Sequence, residues 1–213
     1  MVTSFAYRVW EKKLHNLGFK KNRSFNLLDI GCGAGYFGRY ITKKHPSCQV
    51  IGGDIDEERI KLASGNAPGV HFLICDGHFL PFPDASYDVV TCFQVIEHLK
   101  CVADFVNEVN RVLKKNGIFI ITTPNPCGVP AKLQGSGWPG HRFDHVSLNT
   151  PVQWKKIIGG AGFKKIDDGS TAWSGIKILR PMPFAFLNWI PNALFGYFHW
   201  YHGGTYVAIF SKI

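Results

Sequence analysis

Three things are missing from this chain of 213 residues: a Cys-x-x-Cys pair, an apolar leader, and any Asp, Glu, Lys or Arg between Pro181 and Ser211. The six cysteines (Cys32, Cys48, Cys75, Cys92, Cys101 and Cys127) lie mostly in apolar segments. That argues against disulfide or metal use and for buried thiols in a reducing cytoplasm. Residues 1–18 are amphipathic, with Glu11, Lys12 and Lys13 breaking any apolar run, so no secretory signal is expected. Charged residues make up only 18% and hydrophobic ones 46%. This balance excludes a disordered chain and suits one large domain, 1–213, with a sizeable core.

Acidic residues are the minority sign, 15 against 24 basic ones, and they are concentrated. Residues 1–24 hold six basic and one acidic, 25–97 five and nine, and 98–213 thirteen and five. An acidic middle between basic flanks suits a cationic or neutral ligand held by carboxylates, with an anionic surface or substrate met elsewhere. Aromatic and basic residues do not interleave along any strand as a stacking platform requires, so no nucleic-acid partner is expected.

The most informative stretch is Asn26 to Gly38. Phe25 to Ile30 is an apolar run of the length of a buried parallel strand, and helical spacing follows through Phe37, Tyr40 and Ile41. Between them Gly31, Gly33 and Gly35 allow positive φ values and leave the backbone uncovered, so the N–H groups at the start of the helix are expected to face a ligand. Gln49 to Gly53 reads as a second strand ending at Asp54, where a carboxylate can accept bonds from vicinal ribose hydroxyls. Asp56 caps the next helix, Glu57 and Glu58 fill its first turn, and Gly65 is expected to stop it. Val70 to Cys75 is a third strand, ending in Asp76-Gly77. Asp76 either accepts from an adenine amino group or closes an Asx turn with Gly77.

Ser86 to Phe93 is the fourth strand, running into Gln94-Val95-Ile96-Glu97-His98-Leu99. Val102, Phe105, Val106, Val109, Val112 and Leu113 mark a helix, with Lys114 and Lys115 expected in its last turn and Asn116-Gly117 as C-cap. Ile118 to Thr123 is the fifth strand. Strands alternating with helices require a parallel sheet with its ligand at the carboxyl edge. Thr150-Pro151-Val152-Gln153 is a capping box opening a further helix that Gly159-Gly160 ends. Before the parallel strands, Ser4 to Leu17 forms an amphipathic helix within an N-terminal segment 1–24.

Taken in order, Leu28-Asp29-Ile30-Gly31-x-Gly33-x-Gly35, Gly53-Asp54, Cys75-Asp76-Gly77, Phe82-Pro83-Asp84-x-x-Tyr87-Asp88-Val89-Val90 and Val95-Ile96-Glu97-His98-Leu99 resemble the class I S-adenosylmethionine-dependent methyltransferases. The likeness covers residues 25 to about 166. It is greatest to their small-molecule branch, which includes ubiquinone- and menaquinone-biosynthesis enzymes. The resemblance implies an α/β, Rossmann-like, doubly wound and mostly parallel seven-stranded sheet with an antiparallel last strand. Phe163 to Thr171 and Thr205 to Ile213 would supply the closing pair.

The resemblance also implies S-adenosyl-L-methionine as methyl donor, S-adenosyl-L-homocysteine as product, and a set of contacts. Gly31, Gly33 and Gly35 would cradle the amino-acid part, Asp54 the ribose, Ile55 the adenine face, and Asp76 with Gly77 its edge. Asp29 would support the loop, and the backbone at Phe93 and Gln94 would receive the ammonium. Where an acceptor must lose a proton, His145, His98 and Glu97 are the catalytic candidates, with His141 a further histidine in the same region. Some quinone O-methyltransferases add an acid to a Glu-His pair to hold a divalent metal. Gln94 stands in that place here, so no metal is expected.

Residues 124–149 are too long for a plain connection and are expected to form a lid over the sheet edge. Residues 175–203 form an aromatic-rich insertion before the last strand, densest at 182–201, with Pro183 and Pro191 unsuited to a spanning helix. It fits a hydrophobic acceptor tunnel, a surface that dips into a bilayer, or a helical pair packed on the core or a dimer partner. The expected protein is therefore a cytoplasmic or peripheral-membrane O-methyltransferase, monomer or homodimer, acting on a quinone-, lipid- or prenyl-type molecule. A NAD(P)-dependent Rossmann oxidoreductase is one alternative, since Gly33-x-Gly35-x-x-Gly38 with Asp54 also meets the dinucleotide pattern. It would usually bring a further substrate domain, for which few residues remain. A donor-binding but catalytically inactive membrane or partner module is the other alternative.

Overall fold

The computed structural model describes residues 4–170, 197 and 199–213. In chain order its elements are α1 (Ser4–Asn16), β1 (Phe25–Ile30), α2 (Tyr36–Lys44), β2 (Cys48–Asp54), α3 (Glu57–Asn66), β3 (His71–Ile74), β4 (Tyr87–Phe93), α4 (Val102–Val112), β5 (Leu113–Pro124), α5 (Val129–Gln134), α6 (Pro151–Gly160), β6 (Phe163–Gly169) and β7 (Thr205–Lys212). The strands form one seven-stranded sheet in the order β3-β2-β1-β4-β5-β7-β6. β1 to β5 pair in parallel, and β7 runs antiparallel to both of its neighbours. The expected closing pair is thus present, with β7 inserted between β5 and β6.

Alternation along the strands makes this a three-layer structure. Leu27, Val89, Ile118, Ile120, Val207 and Ile209 face one side, where Trp10 and Leu14 of α1 and Phe37 and Ile41 of α2 cover them. Leu28, Ile30, Val90, Phe119, Ile121 and Phe210 face the other, under Phe105, Val106 and Val109 of α4 and Trp154 and Ile158 of α6. Each large side chain so buried contributes about 1.5–3 kcal/mol of transfer free energy. The N-terminal helix is therefore a core element: its Trp10 ring stacks on Phe93 with centroids 5.2 Å apart.

Helix ends follow the expected chemistry at two places and depart from it at two. The Asp56 side chain accepts from the N–H groups of Glu58 (3.0 Å) and Arg59 (3.3 Å), and Thr150 with Gln153 forms a reciprocal capping box. Gly65 does not stop α3, which runs to Asn66 with Ala67 at its end. The residue after that is Pro68, which cannot donate the next helical bond. Nor do Lys114 to Gly117 cap α4. The helix ends at Val112, the backbone turns extended at Leu113, and Asn116 adopts φ 61° inside β5. The register between β4 and β5 jumps there, from Tyr87 opposite Leu113 to Val89 opposite Ile118. Lys114 uses that bulge to reach Asp88 at 2.8 Å.

Because β1 neighbours β4, the chain builds one half of the sheet outward through β2 and β3 and then resumes on the other side of β1. An open α/β sheet leaves its crevice at that switch point, beyond the carboxyl ends of the strands. The 124–149 segment lies over it and is partly helical, containing α5 and a 3-10 turn at Gly135–Gly137. No helix among the described residues is long and apolar enough to cross a membrane. Of the aromatic insertion, residues 175–196 and 198 lie outside the described residues, so its expected roles lie outside them too.

Candidate functional site

At the tip of β1 the chain turns through Gly31, Gly33 and Gly35 with φ of 71°, 53° and 76°, all in the left-handed region. A Cβ on Gly31 would sit 2.1 Å from Val95 Cγ2, so no side chain fits between the loop and the β4 exit. A Cβ on Gly33 would meet nothing within 4 Å, so this glycine leaves backbone bare to open space. The loop's donors, however, are committed. Gly31 N and Cys32 N donate to Gly53 O (2.7 and 3.0 Å), Gly33 N donates to Asp54 Oδ2 (2.9 Å), and Gly35 N donates to Cys32 O (3.0 Å). These four donors of the loop itself are therefore turned inward, and the N–H groups expected to face a ligand are those of the first turn of α2, from Tyr36 on.

The strand tips beside the loop carry acids. Asp54 is 7% exposed, and its second oxygen accepts from Asp56 N at 3.1 Å. Asp76 Oδ1 accepts from His78 N (2.9 Å) and meets His78 Nδ1 at 2.7 Å, holding its carboxyl below the usual range. The Asx-type turn weighed from the sequence is therefore real. Behind the loop, Asp29 is 3% exposed, and burial raises its carboxyl to about 7. The Thr91 hydroxyl, donating to Asp29 Oδ1 at 2.7 Å, opposes that rise, and the charge of Asp54 adds to it.

These groups border a cavity of about 430 Å³ whose wall includes Gly31, Asp54, Ile55, Asp76, Gly77 and Gln94. Ile55 is 71% exposed at its mouth, an apolar surface available to a flat ring. Asp56 and Asp144 add two more carboxylates to the wall, Asp56 beside Arg59 and Asp144 in a bidentate pair with Arg142. Gln94 holds φ 57°, unusual for a residue with a side chain. It is fixed there by its own N–H to Thr122 O (2.8 Å) and by its amide nitrogen to Thr122 Oγ1 (3.2 Å).

A second cavity of about 330 Å³ adjoins the first and is bounded by Gln94, Glu97, His98, Trp138, Arg142 and His145. Gln94 and His98 line both cavities. The lid is tied to this rim: Ser147 N donates to Glu97 O at 2.9 Å, the Ser147 hydroxyl donates to Leu99 O, and His98 Nδ1 donates to Asp144 O at 2.9 Å. His145 Nδ1 likewise donates to Gly140 O at 2.7 Å. Glu97 is 1% exposed, and burial lifts its carboxyl to about 7, with the Thr123 hydroxyl partly offsetting.

The structure thus brings together Gly31, Asp54, Ile55, Asp76, Gly77 and Gln94 in the wall of one crevice, and His98, Glu97 and His145 in the next; Asp29 lies behind the loop, and Gly33, Gly35 and Phe93 adjoin the crevice without lining it. His141 stays apart, exposed on the lid with its ring 5.3 Å from Trp138. Arg59 and Asp144 line the first cavity and Trp138 the second, all three unanticipated there. Arg59 reads in sequence as a helix-end charge, and nothing local marks Trp138 as inward-facing; it is 3% exposed.

Residues 28–121 match a family described as a methyltransferase domain. A probable S-adenosylmethionine-dependent methyltransferase of Mycolicibacterium smegmatis is 43% identical over 142 residues, covering 67% of this chain and 53% of that protein. Phthiotriol/phenolphthiotriol dimycocerosates methyltransferase 1 of Mycobacterium ulcerans is 29% identical over 130 residues, 59% of this chain and 48% of its own length. The chain therefore spans about half the length of these curated relatives. In fold, it superposes on the YcgJ protein of Bacillus subtilis with a TM-score of 0.62 at 19% identity, covering 98% of this chain and 96% of the other.

Proposed function

The chain belongs to the class I S-adenosylmethionine-dependent methyltransferases, and from that premise we propose that it methylates an apolar or amphipathic small molecule, at oxygen. One observation favours the donor over a dinucleotide: the strand tips in the cavity wall present Asp54 and Asp76, neither of which pairs with a lysine or arginine among the described residues. A pyrophosphate needs positive potential at that turn. A ligand with a sulfonium and an ammonium needs the reverse.

In this reading S-adenosylmethionine supplies an already activated methyl group, and the chain's task is alignment. Gly33 leaves room for the amino-acid part between Gly31 and Gly35. Asp54, already fixed by two backbone donors, turns its remaining lone pairs to the ribose hydroxyls. Ile55 covers one adenine face, and Asp76 with Gly77 meets its edge. Asp29, braced by Thr91, holds the loop from behind, and the backbone of Phe93 and Gln94 accepts from the ammonium. Gln94 and His98, shared by the two cavities, form the wall where donor and acceptor meet.

On the acceptor side the proposed catalytic residues are His145, His98 and Glu97. Both histidines donate Nδ1–H to a carbonyl, which can only accept, so each Nε2 is left with a free lone pair able to take a hydroxyl proton. The apolar acceptor rests on the density of aromatics at 182–201 and on the relative named for phthiotriol and phenolphthiotriol compounds. A membrane-surface position for 182–201 belongs to the same proposal. Thermal shift tests the donor: S-adenosylhomocysteine should raise the melting temperature and NADH should not, and the opposite pair of results would overturn the reading.

A further inference from the structure

The face built from α1, the turn after it and α2 carries almost no acid. Residues 4–24 hold six lysines and arginines against Glu11 alone, and α2 adds Arg39, Lys43 and Lys44 against none. Arg8, Lys12, Lys20, Lys21, Lys43 and Lys44 are exposed, and none of them forms an ion pair among the described residues. Residues 1–3, 171–196 and 198 contain no Asp or Glu that could pair with them either. Neighbouring acids are engaged: Glu11 turns to the buried His45 at 4.0 Å, Lys13 pairs with Asp167, and Lys114 takes Asp88 at 2.8 Å. The cations form one surface. The Tyr7 ring of α1 lies 5.5 Å from the Tyr40 ring of α2, and Lys44 stands 6.0 Å over that same Tyr40 ring. Arg23 stands 4.9 Å over Phe19, which meets Phe25 at 4.9 Å, and Phe25 meets His45, next to Lys44, at 5.6 Å. The dipole of α2 accounts for Lys43 and Lys44 in its last turn, but Arg8, Lys20 and Lys21 stand in no helix's last turn.

We propose that this face of α1, the 17–24 turn and α2 docks on an anionic lipid bilayer. Unpaired cations on one surface repel one another, and a sheet of negative headgroups removes that cost. A small anion is a poor match, because none of the six cations lines the two cavities at the sheet edge or the one bounded by Asn26, Cys48 and His71 at the strands' amino ends. A nucleic acid is a poor match too: Phe19 and Phe25 are buried beneath the charges, so the face offers no stacking platform there. A second observation points to lipid. The run free of Asp, Glu, Lys and Arg that starts at Pro181 reaches the described chain at Tyr197, whose ring lies 3.7 Å from Lys13 Nζ of α1. Exposed cations and an aromatic, uncharged segment then meet at one helix, and these are the two components of interfacial binding. The inference goes beyond the membrane-surface reading of 182–201 and does not depend on it, since here the lysines set the lipid preference and the orientation.

Flotation of the full chain with phosphatidylcholine vesicles, with and without phosphatidylserine, tests this. Partitioning should be about tenfold or more stronger with phosphatidylserine, and that gain should vanish in 1 M salt, where the Debye length is about 3 Å. Lys20→Gln/Lys21→Gln and Lys43→Gln/Lys44→Gln should each weaken it about tenfold. Lys156→Gln/Lys164→Gln removes the same charge from exposed positions on α6 and β6 and should change it less than about twofold. S-adenosylhomocysteine affinity, measured on the same samples, should be retained in every variant; its absence from the wild type would sink the methyltransferase reading and leave the docking face standing. Three results overturn the face. They are equal partitioning to both vesicle types, which leaves only the aromatic segment; equal losses in the α6/β6 variant, which leaves only net charge; and displacement from the vesicles by duplex RNA at equal phosphate concentration, which assigns the cations to nucleic acid.

Discussion

Replacing Asp54 by asparagine keeps the side chain's shape and removes one acceptor and its charge. In the wild type, Oδ2 accepts from Gly33 N at 2.9 Å and Oδ1 from Asp56 N at 3.1 Å, in a site only 7% exposed. Asparagine has a single acceptor oxygen, so one of those two N–H groups must face an NH₂ instead. Leaving a buried donor unpaired costs roughly 1–3 kcal/mol, and stability to urea should fall by that amount. Donor affinity should fall further, because a hydrogen bond to a charged acceptor is worth about 1.5–3 kcal/mol. That converts to about a tenfold to 150-fold rise in the dissociation constant for S-adenosylhomocysteine, read by calorimetry. Thr150→Ala provides the control, since loss of that capping box costs about 1 kcal/mol at residues that do not line the crevice and should leave affinity alone. An Asp54→Asn protein that is folded and binds within twofold of wild type would refute the reasoning.

Other expectations follow from the same geometry. Asp29 ionises near 3.8 in a free chain and near 7 when folded, so between those values the folded protein keeps a proton that the unfolded chain has released. Its contribution therefore favours folding below about pH 4, declines as pH rises through 7, and is lost above. Asp29→Asn should flatten the fall in urea stability between about pH 4 and 7, and an unchanged slope would exclude this carboxyl as its source. Gly31→Ala should lose at least 2 kcal/mol or so of stability from its clash with Val95. Gly33→Ala should lose only about 1–2 kcal/mol from its positive φ while weakening donor binding more than tenfold. Equal denaturation midpoints for the two variants would contradict that division. Asn125 joins the lid to the start of β7, donating to Trp200 O (2.7 Å) and Gly203 O (3.1 Å) and accepting from Cys127 N (3.1 Å). Asn125→Ala should cost about 2–4 kcal/mol and increase proteolysis within 124–149, and undiminished resistance would show the lid to be held elsewhere.

Much of this was legible because it is local. Strand tips ending in Asp54 and Asp76, the Asp56 cap and the Thr150 capping box depend on residues within a few positions of one another, where pattern and propensity act directly. The β4–β5 bulge was not legible, because Asn116-Gly117 is equally good as a helix cap; what decides is the pairing of Leu113 with Tyr87 across the sheet. The fate of the glycine loop's donors was hidden for a similar reason. Gly53 O and the Asp54 carboxylate reach them only once β2 lies beside β1 in register. The meeting of His145 with Glu97 and His98 depends on the path of the lid, which no spacing encodes, though each histidine could be picked out singly.

The account rests on an adenosyl sulfonium compound lying across the tips of β1, β2 and β3. A crystal structure of the protein grown with S-adenosylhomocysteine tests it most directly. Density for the amino-acid end against Gly31 to Gly35, the ribose on Asp54 and the purine between Ile55 and Asp76 is the predicted result. A crevice that stays closed to the compound, or density at another edge of the sheet, would contradict it.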